Sequence, residues 1–230
     1  MTYRVRYIFP FLLLVLLMPG CKSDDAGDKA IEAEYITYRV NYLENMAGDI
    51  PTKMLPDKME AYYSPKYILT SIDGFFGQFS LVQVAYLKQN SVTTMLNFFG
   101  NKVYYEGKKG EIPAGIVPID NPRVEVTKDT VTICGFTSYR AIIQNEGNEY
   151  DIYFTRDIEI NSPNITTPYH FIDHVLSDFR VQLSVLKMQL VMSGHESTSI
   201  PSSIFDIPED YRQVSRETME SIINSLFTKD

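Results

Sequence analysis

The sequence has no tryptophan, only two cysteines and only three histidines among 230 residues. It lacks a G-x-S-x-G nucleophile elbow and a glycine-rich phosphate-binding loop, and no motif in it implies a cofactor, so catalysis and nucleotide binding have no local support. The 21 basic residues are outnumbered by 29 acidic ones, which gives a formal net charge of −8. Because nucleic-acid binding needs clustered lysine and arginine, this balance disfavours a nucleic-acid partner.

The longest apolar run covers residues 7–18 and follows Arg4 and Arg6. A basic segment before a short apolar run is typical of a signal peptide, and the run is shorter than the roughly 20 residues that a transmembrane helix needs. It ends at Met18-Pro19-Gly20-Cys21, which resembles the lipobox of bacterial lipoproteins, where the peptide is cut before an acylated cysteine. Cys21 is therefore the candidate lipidation site, and an ordinary signal peptide with an unrelated cysteine is the alternative.

The polar stretch behind Cys21 indicates how the chain is divided. Its first residues, Lys22-Ser23-Asp24-Asp25, resemble the export signal that sends lipoproteins of Bacteroidota to the outer face of the outer membrane, although a plain solvated tether has the same composition. We expect a lipoprotein signal peptide over residues 1–20, a flexible acidic tether over 21–33 and a single β-rich domain over 34–230. Two or more acyl chains hold a protein stably in a bilayer, so Cys21 alone would suffice as an anchor. The resemblance to lipoproteins of Bacteroidota implies the outer membrane as the location and partner.

Hydrophobic periodicity predicts a β-rich domain with two helices. Residues 36–42 alternate strictly between apolar and polar side chains, and short strands recur between turn residues through 57–155. Thr167-Pro168, followed by apolar residues at helical spacing, predicts a helix over 168–179, and Ser215 is expected to cap a final helix. The expected fold class is α+β, with a large curved antiparallel sheet of about eight to ten strands and two or more helices on one face.

Two segments carry a resemblance to a known group of proteins. Residues 133–141 combine a Gly-aromatic strand end with a basic-Ala strand, and residues 150–158 end in Thr-Arg-Asp-Ile. Together with Pro168-Tyr169 and residues 205–211, this pattern resembles the Bacteroidota envelope lipoproteins of the GLPGLI-type and LolA-like groups, although the GLPGLI signature itself is absent. The resemblance implies an open half-barrel with helices against its concave side, and a lipid or acyl group held in the apolar space between them.

A set of aromatic residues is the candidate lining for such a ligand, and the alternative is that they form the core. The sequence therefore favours a lipid-anchored outer-membrane protein that binds a lipid or other apolar ligand without catalysis. Two alternatives stay open. One is a structural or surface-interaction lipoprotein that binds an envelope protein and no small molecule; the other is a hydrolase whose carboxylates come from distant strands. The candidate lining residues are Phe75, Phe76, Phe79, Phe98, Phe99, Tyr104 and Tyr105.

Three further patterns mark candidate sites. His170, His174 and Asp178 lie at i, i+4 and i+8 of the predicted helix, so two of them could share a metal ion, and a polar helix face is the alternative. Asp129-Thr130-Val131 resembles the O-glycosylation acceptor of Bacteroidota at Thr130, and a plain turn before a strand is the alternative. Cys134 lies in an apolar stretch and has no disulfide partner once Cys21 is lipidated, so we expect a buried thiol.

Overall fold

The computed structural model describes residues 29–43 and 54–227, so the predicted signal peptide, Cys21 and most of the predicted tether lie outside the described residues. Within these ranges twelve strands form one sheet, and one α-helix, α1 (Arg216–Phe227), follows the last strand. The strands are β1 (Ala30–Tyr42), β2 (Lys58–Tyr63), β3 (Tyr67–Gly74), β4 (Phe79–Tyr86), β5 (Ser91–Phe98), β6 (Asn101–Glu106), β7 (Arg123–Ile133), β8 (Phe136–Asn145), β9 (Asn148–Thr155), β10 (Val175–Leu183), β11 (Leu186–Pro201) and β12 (Arg212–Gln213).

Consecutive antiparallel hairpins build most of the sheet. Its strand order is β12-β6-β5-β4-β3-β2-β1-β11-β10-β9-β8-β7, and β12 runs parallel to β6 while the other pairs are antiparallel. Three hairpins are joined by Phe99-Gly100, Cys134-Gly135 and Glu146-Gly147, and both residues of each turn have positive φ. Such two-residue turns match the twist of the strands, and glycine adopts the second position without steric cost.

The expected α+β class with two or more helices is wrong, because the described chain is a twelve-stranded mixed sheet with a single α-helix. The predicted helix over 168–179 does not form, and a LolA-like half-barrel lined by helices is not the observed fold. Instead, the Asn164 side-chain amide donates to the carbonyls of Ile172 and His174 at 2.6 and 2.9 Å, and β10 begins at Val175. Aromatic and β-branched side chains suit a buried strand as well as one helix face, and pairing with β11 decides between them.

Chain segments cover both faces of the sheet. On the inner face, residues 107–122, residues 156–174 and α1 pack over the strands and enclose the larger hydrophobic core. Met219, Ile223 and Phe227 of α1 are buried there, which confirms the predicted final helix. On the outer face, residues 202–211 cross the strands, and Phe205 stacks on Tyr67 at a ring-centroid distance of 5.0 Å.

The inner face contains little empty space. The cavity between the strands and the covering segments measures about 30 Å³ and is lined mostly by apolar side chains of β2, β3, β4, β10 and β11. Such a volume has room for one or two water molecules. This cavity is too small for a long acyl chain.

The two ends of the strands meet different parts of the chain. β1 begins at Ala30, inside the stretch expected to be a tether, and we call this end of the sheet the tether end. The β2–β3, β4–β5 and β7–β8 connections also lie there. The β3–β4, β5–β6, β8–β9 and β10–β11 turns lie at the opposite end, which we call the distal end. No helix in the described part of the chain is long and apolar enough to cross a membrane.

Candidate functional site

The sheet splits between β9 and β10. These strands pair at only three positions, Val175 with Thr155, Leu176 with Phe154 and Asp178 with Tyr153, and the register shifts between Leu176 and Asp178. The extra residue is Ser177, whose buried hydroxyl donates to the Ser138 hydroxyl at 2.8 Å. A bulge of this kind bends a strand and ends its pairing, so β9 and β10 have no further paired residues towards the distal end.

Other segments take the place of β9 along the open edge of β10. The amide of Val117 donates to the carbonyl of Gln182 at 2.9 Å, and the amide of Ser184 donates to the carbonyl of Gly115 at 2.8 Å. The Tyr169 hydroxyl donates to the carbonyl of Arg180 at 2.6 Å. These bonds satisfy backbone groups that a neighbouring strand would otherwise pair, so the split is a stable feature of the sheet.

The split opens at the distal end into a cleft of about 570 Å³, which we call the split-strand cleft. This volume lies within the range of small-molecule sites in proteins. One wall is the β8–β9 hairpin, and the other is β10 with β11 and the segment around Val117. The lining residues are Leu43, Val117, Pro118, Ile119, Asn145, Glu146, Asn148, Glu149, Tyr150, Pro168, Tyr169, Arg180, Val181, Gln182 and Lys187.

Aromatic and charged groups meet inside the split-strand cleft. The guanidinium of Arg180 lies 5.0 Å from the ring centroid of Tyr150, a cation–π contact. The hydroxyls of Tyr150 and Tyr169 lie 3.3 Å apart. Burial raises the pKa of Tyr169 far above its ordinary value of 10.0 and also raises the pKa of Tyr150, so both hydroxyls stay protonated at neutral pH. Glu149 accepts a hydrogen bond from the side-chain amide of Gln144 at 2.7 Å.

The seven aromatic residues predicted to line a ligand site do not come together. Phe75, Phe79, Phe98 and Tyr105 belong to the core of the inner face, and Tyr104 packs against the smaller core of the outer face. Phe76 and Phe99 are 86% and 63% exposed in turns at the distal end. None of the seven lines the split-strand cleft.

The histidine pair does not form a metal site. His170 and His174 lie on irregular turns rather than on a helix, and His174 stacks on Phe154 at 5.4 Å between ring centroids. Asp178 lies on β10, where its carboxylate accepts two hydrogen bonds from Gln189. Across residues 29–43 and 54–227, no group of three or more His, Cys, Asp or Glu side chains could hold a metal ion.

Two other predicted positions lie at the β7 edge of the sheet. The expectation of a buried thiol at Cys134 is wrong, because Cys134 is exposed in the two-residue turn between β7 and β8. Its apolar neighbours alternate along a strand and end in a turn, so they do not enclose it. Thr130 is exposed on β7, directly after the irregular pairing between Val126 and Thr130, and its glycosylation stays a prediction.

Sequence reasoning missed the residues that form the split-strand cleft. Tyr150, Tyr169 and Arg180 stand 11 to 30 positions apart, and no spacing rule links them. Arg180 occupies an exposed position of a strand that alternates between apolar and polar side chains, so it gave no local signal.

Structures of PNGF-II determined in two space groups are similar to this chain. They align with 85% of it at TM-scores of 0.53 and 0.54 and 12% sequence identity. The aligned part is 33% and 34% of the PNGF-II chain, so the present chain spans about a third of its length. At this identity the likeness concerns the fold alone. No protein family and no curated protein sequence matches the chain.

Proposed function

We propose that this chain is a lipid-anchored envelope protein that binds an amphipathic ligand, without catalysis, in the split-strand cleft. The observation that carries the proposal is the cleft itself, which combines about 570 Å³ of open volume with both apolar and charged lining residues. The inner-face cavity of about 30 Å³ is too small for such a ligand. The proposal therefore keeps the binding role predicted from the sequence and moves its site.

The lining supports a ligand with two chemically distinct parts. Leu43, Val117 and Ile119 form the apolar part of the lining, and Val117 is 38% exposed. Arg180 and Lys187 lie on adjacent strands, so the cationic groups share one side of the cleft. An amphipathic molecule places its apolar part against the first group and its polar part near the second, because each surface is then removed from water in contact with a matching one.

A hydrolase is less well supported by the same geometry. Glu146 and Glu149 both line the cleft, but they lie on one hairpin and therefore on the same wall. A pair of catalytic carboxylates must flank the bond that they cleave. Among the described residues that line the cleft, Glu146 and Glu149 are the only carboxylates, and Arg180 and Lys187 lie on the adjacent strands β10 and β11.

Photolabelling of the full-length acylated protein, held in amphipol, tests the proposal. The probe is the methyl ester of dodecanoic acid with a diazirine near the end of its chain, and labelled peptides are mapped by mass spectrometry. We expect labelling within residues 117–119 and 145–150. Val117→Asp should lower that labelling roughly tenfold, because it places a charge against the apolar chain.

Val131→Asp is the matched control, since Val131 is 43% exposed on β7, away from the cleft. It should label as the wild type does. Labelling spread evenly over the surface, or equal labelling of the Val117→Asp variant and the wild type, would contradict the proposal.

The second candidate function is interaction with another envelope protein, and two exposed aromatic side chains favour it. Phe76 and Phe99 lie in neighbouring turns at the distal end, where the amide of Phe99 donates to the carbonyl of Gln78 at 2.8 Å. Exposed aromatic side chains often anchor protein interfaces. Cross-linking in the native envelope should lose a specific product in the Phe76→Ser, Phe99→Ser double variant and keep it in Val126→Ser, Val131→Ser. An unchanged product in the first variant would remove this candidate.

A further inference from the structure

Within residues 29–43 and 54–227, Arg180 and Arg156 lie over aromatic rings and form no ion pair, whereas two other arginines pair with carboxylates. Arg140 pairs with Asp129 and Asp151, and Arg216 pairs with Glu111 and Glu220. Within residues 29–43 and 54–227, the guanidinium of Arg180 makes no ion pair, yet it lies in a cleft large enough for a ligand. A guanidinium presents five N–H donors in a planar fork, so an unpaired one is available for an anion.

The position of this guanidinium is constrained through its own backbone. Its Cζ atom lies 5.0 Å from the centroid of the Tyr150 ring, and the Tyr150 hydroxyl lies 3.3 Å from that of Tyr169. Tyr169 in turn donates to the backbone carbonyl of Arg180 at 2.6 Å. These contacts form a closed ring from the backbone of Arg180 to its side chain. Less conformational freedom is therefore lost when the guanidinium binds a ligand.

The surrounding charges restrict where an anion can bind. Lys187 lies opposite Gln182 on β11 and also lines the cleft. Glu146 and Glu149 are on the opposite wall, and Glu149 accepts a hydrogen bond from Gln144. Asp178 precedes Arg180 by two residues on β10 and does not line the cleft. Its carboxylate accepts hydrogen bonds from Gln189 at 2.8 and 3.0 Å and interacts electrostatically with Arg180 without forming an ion pair. Among the lining residues, an anion is thus favoured beside Arg180 and disfavoured beside Glu146 and Glu149.

From this arrangement we propose that Arg180 binds the anionic group of the ligand, a carboxylate or phosphate, on the platform of Tyr150. The inference rests on the proposed function and specifies the head group of the same ligand. Arginine binds both anions through two parallel hydrogen bonds, so the chemistry is shared by the head group of an amphiphile and by a free anion. The apolar lining residues around Val117 favour the amphiphile.

The test compares the diazirine-tagged dodecanoic acid with its methyl ester on the full-length acylated protein in amphipol. The acid should label the cleft at roughly tenfold lower concentration than the ester, because only the acid forms charge-assisted hydrogen bonds with Arg180. Arg180→Ala should abolish this preference, so that the acid and the ester label the cleft at similar concentrations. Arg212→Ala is the matched control, since Arg212 is exposed on β12, and it should keep the preference.

Two substitutions at Tyr150 distinguish the role of its aromatic ring in anion binding from an effect on the stability of the fold. Tyr150→Phe keeps the ring and should keep most of the preference for the acid, whereas Tyr150→Leu should reduce it.

Inorganic phosphate identifies the source of the anion. Displacement of the acid by millimolar phosphate in the wild type and not in Arg180→Ala would assign a free anion, and no displacement would assign an amphiphile head group.

The failures of the two proposals are distinguishable. If the ester does not label the cleft of the wild type, the proposed function fails. If the ester labels it but the acid has no preference, or if the preference survives in Arg180→Ala, only the role of Arg180 is overturned.

Discussion

The distal end and the tether end of the sheet use the same backbone devices but present different surfaces. Turns with positive φ occur at both: Phe99-Gly100 at 48° and 82° lies at the distal end, and Cys134-Gly135 at 50° and 84° lies at the tether end. Four of the six large apolar side chains that are exposed within the described residues lie at the distal end, and the other two lie on β7. The four are Leu43, Phe76, Phe99 and Val117.

This comparison shows that turn geometry did not impose the apolar character of the distal end. The Glu146-Gly147 turn lies at the same end, has φ values of 50° and 79°, and carries a carboxylate. Any residue that tolerates a left-handed conformation would close these hairpins. The apolar side chains are therefore a separate property of the distal end, where the split-strand cleft also opens.

The largest expected effect concerns what holds the tether end. Cys21→Ser should move the protein from the membrane fraction to the soluble fraction, because the acyl chains would supply the stable attachment. Fractionation of the native envelope measures this. Cys134→Ser is the control with the other cysteine removed, and it should stay in the membrane fraction. A Cys21→Ser variant that also stays there would show that the tether end is not held by lipid.

Two phenylalanines three residues apart sharpen the contrast between exposed and buried positions at the distal end. Phe79→Ala should lower the free energy of unfolding by about 3–5 kcal/mol, because Phe79 is 1% exposed and packs against Phe75 and Phe227. Phe76→Ala should change it by less than about 0.5 kcal/mol. Urea unfolding measures both variants. A large loss for Phe76→Ala would mean that its ring stabilises the fold, which would weaken the interface interpretation.

The contact between α1 and the segment around residue 111 should be sensitive to pH. Glu111 accepts hydrogen bonds from Tyr105 and Lys108 at 2.7 Å each and pairs with Arg216 at 3.0 Å. Burial alone would raise the pKa of Glu111, but these three partners lower it below its ordinary value of 4.5. Glu111→Gln should therefore cost about 1–2 kcal/mol of unfolding free energy at neutral pH.

The sign of the effect follows from linkage. A carboxyl group with a lowered pKa stabilises the fold above its unfolded pKa, and that contribution is lost as the pH falls through the folded one. The stability difference between the wild type and Glu111→Gln should hence be constant from pH 7 to about 5 and shrink below about 4.5. A difference that grows on acidification would contradict this assignment.

The smallest effect tests whether the two ends share one turn geometry. Phe99→Asn and Cys134→Asn should each stabilise the protein by up to about 1 kcal/mol, because asparagine tolerates the left-handed conformation better. Thermal unfolding measures the gains. A gain for Cys134→Asn and a loss for Phe99→Asn would show that the contact of Phe99 with Phe98, at 4.7 Å between centroids, outweighs the backbone strain.

Elements of secondary structure that depend on residues close together in the chain could be predicted from the sequence. The alternation over residues 36–42 marked the second half of β1, and Ser215 caps α1 by accepting a hydrogen bond from the amide of Thr218 at 3.2 Å. The helix predicted over 168–179 failed because its apolar spacing also fits a strand, and only the partner strand β11 distinguishes the two. The dipeptide Gly100-Asn101 has the composition of a hairpin turn, but the turn forms one residue earlier, at Phe99-Gly100.

The candidate site lay beyond local signals. The split-strand cleft depends on the bulge at Ser177, on Tyr169 reaching the carbonyl of Arg180, and on Val117 pairing with Gln182 across 65 positions of sequence. Each of these contacts joins segments that are distant in the chain, and hydrophobic periodicity describes only one segment at a time. The aromatic cluster predicted in its place was a composition signal, and composition does not say which side of a strand a residue occupies.

By itself, the sequence determined the β-rich character of the domain, the final helix and the acidic charge. The strands and the helix follow from patterns of side chains that are close together in the chain, and the net charge is a sum over all residues. Only the tertiary structure decided the twelve-strand order, the filled inner face and the split between β9 and β10. Strand pairing joins residues far apart in the chain, and a single bulged residue is enough to end it.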